Sequence, residues 1–370
     1  MQNIKMNRYK LLFLLLFQML FSTCLDEIKL AVPERGLGSI AIRGKLIYGT
    51  PSQVEVSVAE VSNFVEFQAP SPIENALVQL IDEDGNMLSL GVKGAGLYQA
   101  SIPKDNLALS IERGKSYQVR VTLVNGVVLE SNLEPLLSVP AIESIQKEAI
   151  TRSYVNDLGA IESSLYMKFL VDTQLESPDG TEPRFLKWEF ECTYRFIEAD
   201  ISDVIRFDRP HSCYFTDPLS LNKIQVFDGP NAAGLNLNNH LILEEPLDHR
   251  FYRGFYLTVY QQSLSESAYN YWSKVGELIN RNGSFLETFP AKLQGNFTNL
   301  NDPNQEVFGF FYATAQDTNR IFVGPEEADF PFQYCPPSVL RIEFENLEYQ
   351  CKNCLKRERS TLEKPDYWIQ

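Results

Sequence analysis

The pair with the most reactive spacing in this chain is Cys351-Lys-Asn-Cys354. Two thiols so placed can carry a redox exchange or supply half of a zinc ribbon. A ribbon needs a second such pair, and the sequence has none. A thioredoxin-type site needs its first cysteine at a helix N-terminus, after a strand of a βαβ unit. Here the pair follows an expected strand, Val339 to Leu347, and lies in a polar C-terminal tail. A structural disulfide is the expectation. With Cys24 set aside, Cys192, Cys213, Cys335, Cys351 and Cys354 remain. In an oxidising envelope compartment that odd set gives two disulfides and a spare thiol. Cys192 and Cys213 flank two expected strands and are read as partners. Cys335 joins Cys351 or Cys354, and sequence does not choose between them.

Other chemistry is harder to find. His211, His240 and His249 are the only histidines, and none stands in HExxH or at the spacing of one metal-binding helical face. There is no GxSxG elbow, Walker loop or dinucleotide fingerprint. Gly94-Ala-Gly96 has no following helix and reads as a turn. The acidic Asp82–Asn86 stretch lacks the spacing and distant Glu of an EF-hand and reads as a hairpin turn. The expectation is therefore a protein that is not an enzyme and needs no metal or cofactor. A glycosidase-like carboxylate pair stays open as a hydrolase alternative, because 48 acidic residues single none out. A formal charge of −15 argues against a nucleic-acid partner and against binding to anionic lipid.

The N-terminus carries a processing signal. Lys5, Arg8 and Lys10 precede the apolar run Leu11–Phe17, which Met19, Leu20 and Phe21 extend to Ser22, Thr23 and Cys24. That run is roughly 11 residues, short of the ~20 a helix needs to cross a bilayer. Residues 1–23 are expected to be a signal peptide. Cys24 is the expected site of bacterial lipidation, with ordinary cleavage as the alternative. Residues 24–38 would then be a tether. No later apolar run reaches spanning length, so the lipid would be the only membrane contact.

The elements behind the tether alternate at period two, and the 24 Phe and 17 Tyr lean towards strands. Residues 39–138 read as an Ig-like β-sandwich of about seven strands. Its cues include Val54-x-Val56-x-Val58 and the Asn125-Gly126 two-residue hairpin. Ser138-Val-Pro140 reads as a linker. Residues 141–370 form the larger β-rich part, with one prominent α-helix near 263–282. A Ser263-x-x-Glu266 capping box would start that helix, and Tyr269, Trp272, Val275 and Ile279 would share its packed face. The fold class is mostly β. In the strand near Phe251–Gln261, Phe255, Leu257 and Val259 should face the core. Tyr256 and Tyr260 on the other side could present a ligand platform, the basis of an alternative reading as a glycan-binding or adhesive protein.

Several stretches, in order, resemble the Bacteroidetes outer-membrane lipoproteins grouped as "domain of unknown function 4249". They are the Cys24-Leu-Asp-Glu start, NALVQLIDEDGNMLSL, GAGLYQ, GKSYQVRV, YLTVYQQSLSESAYNYW, NGSF with the downstream Pro290, GNFTNLNDPNQEVFGFFYATA, CKNC and KPDYW. The tail between Cys354 and Lys364 departs from the pattern, since relatives more often carry a Gly-rich turn there. The resemblance implies an accessory or ligand-capture partner of a TonB-dependent outer-membrane receptor, and it carries over no catalytic residues. In several Bacteroidetes lipoproteins an acidic pair just after the lipidated cysteine directs export to the outer face. Asp26 and Glu27 suggest the same here, with a merely solvated start to the mature chain as the alternative. The expected location is the outer membrane, facing the exterior.

Overall fold

Alternation of apolar and polar residues sets the first strands. In β1 (Ile40–Tyr48) and β2 (Ser52–Glu60), Ile42 lies opposite Val58 and Leu46 opposite Val54, all buried. The computed structural model describes residues 39–61, 70–156, 159–176, 184–203, 210–219, 224–279, 293–329 and 332–369. Cys24, Asp26 and Glu27 lie outside the described residues.

The other principal strands of the N-terminal part are β3 (Leu77–Asp82), β4 (Leu97–Ile102), β5 (Ser116–Thr122) and β6 (Val128–Ser131). After β3, the buried Asp82 carboxylate accepts the backbone N–H groups of Asp84 and Asn86 and the Asn86 side-chain amide. The acidic turn is thus held by its own donors. Between β5 and β6, Leu123 N–H donates to Val127 O and Gly126 N–H to Leu123 O. The loop therefore has three residues, closed by Gly126 at φ +86°, instead of the expected two.

The rest of the chain supplies β7 (Ile142–Val155), β8 (Ile161–Gln174), β9 (Phe185–Ile197), β10 (Ser212–Pro218), β11 (Asn236–Pro246) and β12 (Phe255–Leu264). Helix α1 (Glu266–Ile279), β13 (Phe297–Asn299) and β14 (Val307–Val323) follow. The chain is mostly β. The main sheet runs β10-β9-β12-β14-β1-β2-β4, a second runs β13-β6-β5-β3, and a third runs β7-β8-β11.

One strand joins the two halves. β14 pairs parallel with β1 over Val307–Ala315 and antiparallel with β12 over Gln316–Val323. Buried apolar residues form two main clusters, one before the expected linker and one after it, except that Phe297, Phe311 and Ala313 return to the first. The first cluster thus draws on strands from the far end of the chain. Gly38–Gln370 forms one compact unit. Pairing across more than 260 positions leaves no local pattern in sequence.

Helix α1 starts later than the capping box suggested. Ser263 and Leu264 still belong to β12, and Ser265 is the cap, its Oγ accepting the Ala268 N–H at 3.1 Å. Ala268 and Gly276 are its buried residues, flanked by Tyr269 stacked on Phe185 and Tyr271 stacked on Phe310. Ile279, expected on the packed face, is 45% exposed. The face is rotated by about one residue from the expected stripe.

Beneath α1 lies an ion cluster. The Lys187 side chain, 5% exposed, donates to Glu189 at 2.5 Å, and Lys45 reaches the other Glu189 oxygen at 2.8 Å. Lys187 also sits 4.7 Å from the centre of the Trp272 ring. Gln262 donates to Glu189 and accepts from the buried Tyr312 hydroxyl. Burial would raise the Glu189 carboxyl, but the charges of Lys187 and Lys45 outweigh it and bring it down to about 2.

The C-terminal tail corrects two expectations. Cys213 bonds Cys354 and Cys335 bonds Cys351, leaving Cys192 as a buried free thiol. In the β9–β10 ladder Cys192 faces Asp217, whereas Cys213 faces Phe196. That four-residue offset is roughly 13 Å along a strand, about twice what a disulfide spans. Burial also pushes the Cys192 thiol up to about 12, so it stays protonated. The second correction concerns Tyr256 and Tyr260. Trp368 of the tail packs on Tyr214 and Tyr256, burying Tyr256, and Tyr367 bonds the Thr193 hydroxyl. Tyr260 is half-buried and donates to Glu191. The tail covers this face, so no open aromatic platform exists there. Phe255, Leu257 and Val259 do face the core.

Candidate ligand cleft

The GNFTNLNDPNQEVFGFF segment (295–311) leaves β13, crosses between the sheets and returns as β14. Two glycines let its backbones touch. A Cβ on Gly295 would lie 2.0 Å from Gly309 O, and one on Gly309, at φ +103°, would lie 1.8 Å from Ile42 O. Neither position accepts another residue without moving backbone. Asn296, 6% exposed, extends the contact. Its Nδ2 donates to Phe311 O at 2.8 Å and its Oδ1 accepts Phe311 N–H at 2.9 Å, so the side chain imitates a paired strand residue.

The connecting loop is framed by amide side chains. Asn299 Oδ1 accepts the N–H groups of Asn301 and Asp302, and its Nδ2 donates to Gln305 at 2.6 Å. Asn301 Oδ1 accepts the Val128 N–H at 2.7 Å, which ties the loop to β6.

Two clefts flank this loop. One, of about 520 Å³, runs between residues 293–298 and 303–308, with Asn132 at its side. Its polar lining is mainly amide: Asn132, Gln294, Asn296, Asn304 and Gln305. The other, of about 340 Å³, opens at the end of the sandwich and is lined by Ile40, Ile73, Leu123, Val124, Val127 and Leu129, together with Glu60 and Asn125. Gln305, Glu306 and Val307 line both. Both volumes fall in the range of small-ligand sites. No Lys, Arg or His stands among the described lining residues.

Behind the amide cleft a carboxylate is buried at the start of α1. Glu134, 2% exposed, accepts from the Ser265 hydroxyl at 2.6 Å, Ser267 at 2.7 Å and Asn296 at 3.3 Å. The positive end of the helix faces it. Burial raises its carboxyl above the ordinary value, the hydroxyl and amide donors offsetting part of the shift. A carboxyl raised on folding stabilises fully below its unfolded value, near 4.5, and loses that contribution as pH rises through the folded value. Glu134→Gln is therefore expected to unfold at equal or higher urea than the unsubstituted chain at pH 7, by up to ~1 kcal/mol. Its stability should also fall less between pH 5 and 8. A loss at both pH values would refute this.

None of the cysteines, histidines or tyrosines that sequence offered as site candidates lines either cleft. Tyr256 and Tyr260 lie under the tail, and the disulfides staple the other cluster. What sequence offered was the density of Asn, Asp and Gln between Gln294 and Gln305, in a stretch quoted only for the family resemblance.

The larger cleft is shaped by its own loop, where β13 of one sheet and β14 of another approach. The family model described as "Domain of unknown function (DUF4249)" matches residues 26–320, most of the chain, and the chain belongs to that family. The match takes in both clefts and stops before the disulfide-bonded tail. No curated protein matches the chain.

Proposed function

We propose that this is a non-enzymatic, lipid-anchored protein of the outer membrane, facing the exterior, that captures a ligand for a TonB-dependent receptor. The observation that carries the reading is the paired cleft, because the segment that builds it is also the longest stretch of family resemblance. The acidic composition and the expected Cys24 anchor support it, the lipid setting location and the cleft setting the task. The test is co-purification from detergent-solubilised outer membranes. A barrel receptor should elute with the full-length chain, and recovery of the lipoprotein alone would count against the reading. A Cys24→Ala variant is expected to leave the membrane fraction for the soluble one. If it still sediments with outer membranes, the anchor is assigned wrongly.

A further inference from the structure

We propose that the outer edge of β7 is a self-association surface, two copies of the chain pairing antiparallel about Ile150 so that Glu148 of each lies opposite Arg152 of the other. This goes beyond the ligand-capture reading and does not depend on it.

β7 and β8 run on together past the third strand of their sheet. β11 pairs only with residues 166–174 of β8, and no strand pairs with the outer edge of β7 among the described residues. Residues 151–155 and 161–163 are all exposed, so this end of the ribbon has no face in a core. Two-stranded ribbons of that kind are marginal in water by themselves. Within 148–155 there is no Pro, Lys or bulge, the usual guards of an open edge against pairing with another chain. The β7–β8 turn fixes the phase. Asn156 N–H donates to Ala160 O, so the pairs hydrogen-bonded to β8 fall at even-numbered residues of β7. The N–H and C=O groups of Ala149, Thr151 and Ser153 therefore point outward.

The order of charges across the sheet selects the occupant and the register. Glu244, Lys168 and Glu148 lie opposite one another on β11, β8 and β7, a row of alternating sign on one face that ends at the open edge with a carboxylate. The Glu148 side chain is 60% exposed, with Lys168 at 3.4 Å. Arg152 lies on the same face, 56% exposed, and bonds Glu244 through Nη2; a guanidinium carries donors for a second carboxylate. Pairing about Ile150 sets the outward groups of Ala149 against those of Thr151 and continues the row with Arg152 of the second copy opposite Glu148. Two-fold symmetry then makes the same contact twice. Pairing about Arg152 would set two cations face to face, and about Thr151 it would set Arg152 opposite Ile150.

The experiment follows the full mature chain carrying Cys24→Ala, which removes the expected lipid, by sedimentation equilibrium from roughly 1 µM to 1 mM, the span of weak association. This parent should form a reversible dimer. Thr151→Pro, at an edge position where the N–H is not used by β8, should abolish it. Glu148→Arg and Arg152→Glu should each weaken dimerisation at least about tenfold, since two pairs per dimer turn from attractive to repulsive. An equimolar mixture of those two variants should regain the dimer, because every pair between copies is then again of opposite sign. A parent that stays monomeric, a dimer indifferent to Thr151→Pro or to both charge reversals, or a mixture that does not associate would overturn the proposal. So would a monomeric parent that holds a barrel receptor by this edge and loses it with Thr151→Pro, which would give the edge to the receptor instead.

Discussion

A chain carrying Cys213→Ala and Cys354→Ala is expected to lose about 5 kcal/mol of stability, against about 3 kcal/mol for Cys335→Ala with Cys351→Ala. The difference follows from the loops closed. The first bridge spans 141 positions and the second 16, and unfolded-chain entropy lost on closure grows with the logarithm of loop length. All four sulfurs are buried, so alanine leaves no stranded hydroxyl, and any small cavity adds to both variants alike. Urea unfolding of the two double variants measures the gap. Equal losses, or a larger loss from the shorter bridge, would show that loop closure is not what these bonds supply.

That tail also shows where sequence reading stops. The period-two pattern of Val54, Val56 and Val58 is local and survived intact, as did the inward set Phe255, Leu257 and Val259. The cysteine pairing was not legible, because it depends on register. Whether Cys192 or Cys213 meets the tail is decided by which of them faces it across a ladder, and a shift of four residues leaves composition unchanged. Tyr256 failed as a surface platform for a related reason. Period two says only that it points away from Phe255, and the covering residue, Trp368, arrives from more than 110 positions away. The clefts were invisible for want of any single residue type that marks them. Asn296 and Asn299 bond backbone groups and, through their amide nitrogens, Glu134 and Gln305, and that placement makes walls of a run of polar residues.

The parallel pairing of β1 with β14 has a consequence for the site. The cleft-lining end of β14, Val307 and Phe308, pairs with Ile40 and Ala41 of β1, and β13 pairs with β6, so the walls are held by non-local pairing. Sites on such strands hold their geometry better than sites on loops alone. The loop Leu300–Glu306 is the adaptable part, and even it is tied at Asn301 to Val128.

Glu189→Gln is expected to cost 3–5 kcal/mol at pH 7, in the range of about 3–5 found when one partner of a buried ion pair is removed. The substitution leaves the Lys187 ammonium, 5% exposed, with a neutral amide and the Trp272 ring in place of a carboxylate. A carboxyl lowered from 4.5 to about 2 corresponds to about 3 kcal/mol of stability at neutral pH, which agrees with the lower end because the Glu189 side chain is still 27% exposed. The sign is set by a depressed acid. The contribution is whole above the unfolded value and disappears as pH falls from about 4.5 towards 2. The gap between the parent and Glu189→Gln should therefore narrow across that interval, since protonation does to the parent what the substitution did at once. Burial lowers the Lys187 ammonium below its ordinary value, so the pair as a whole stabilises less than Glu189 alone suggests. Lys187→Met combined with Glu189→Met should accordingly recover most of the loss, to within about 1 kcal/mol of the parent. Lys45, 28% exposed, can then turn to solvent. Urea unfolding of the single and double variants at pH 7 and pH 3 separates the outcomes. A double variant as unstable as the single one would mean that the three charges specify the seat of α1 and are not replaceable by packing.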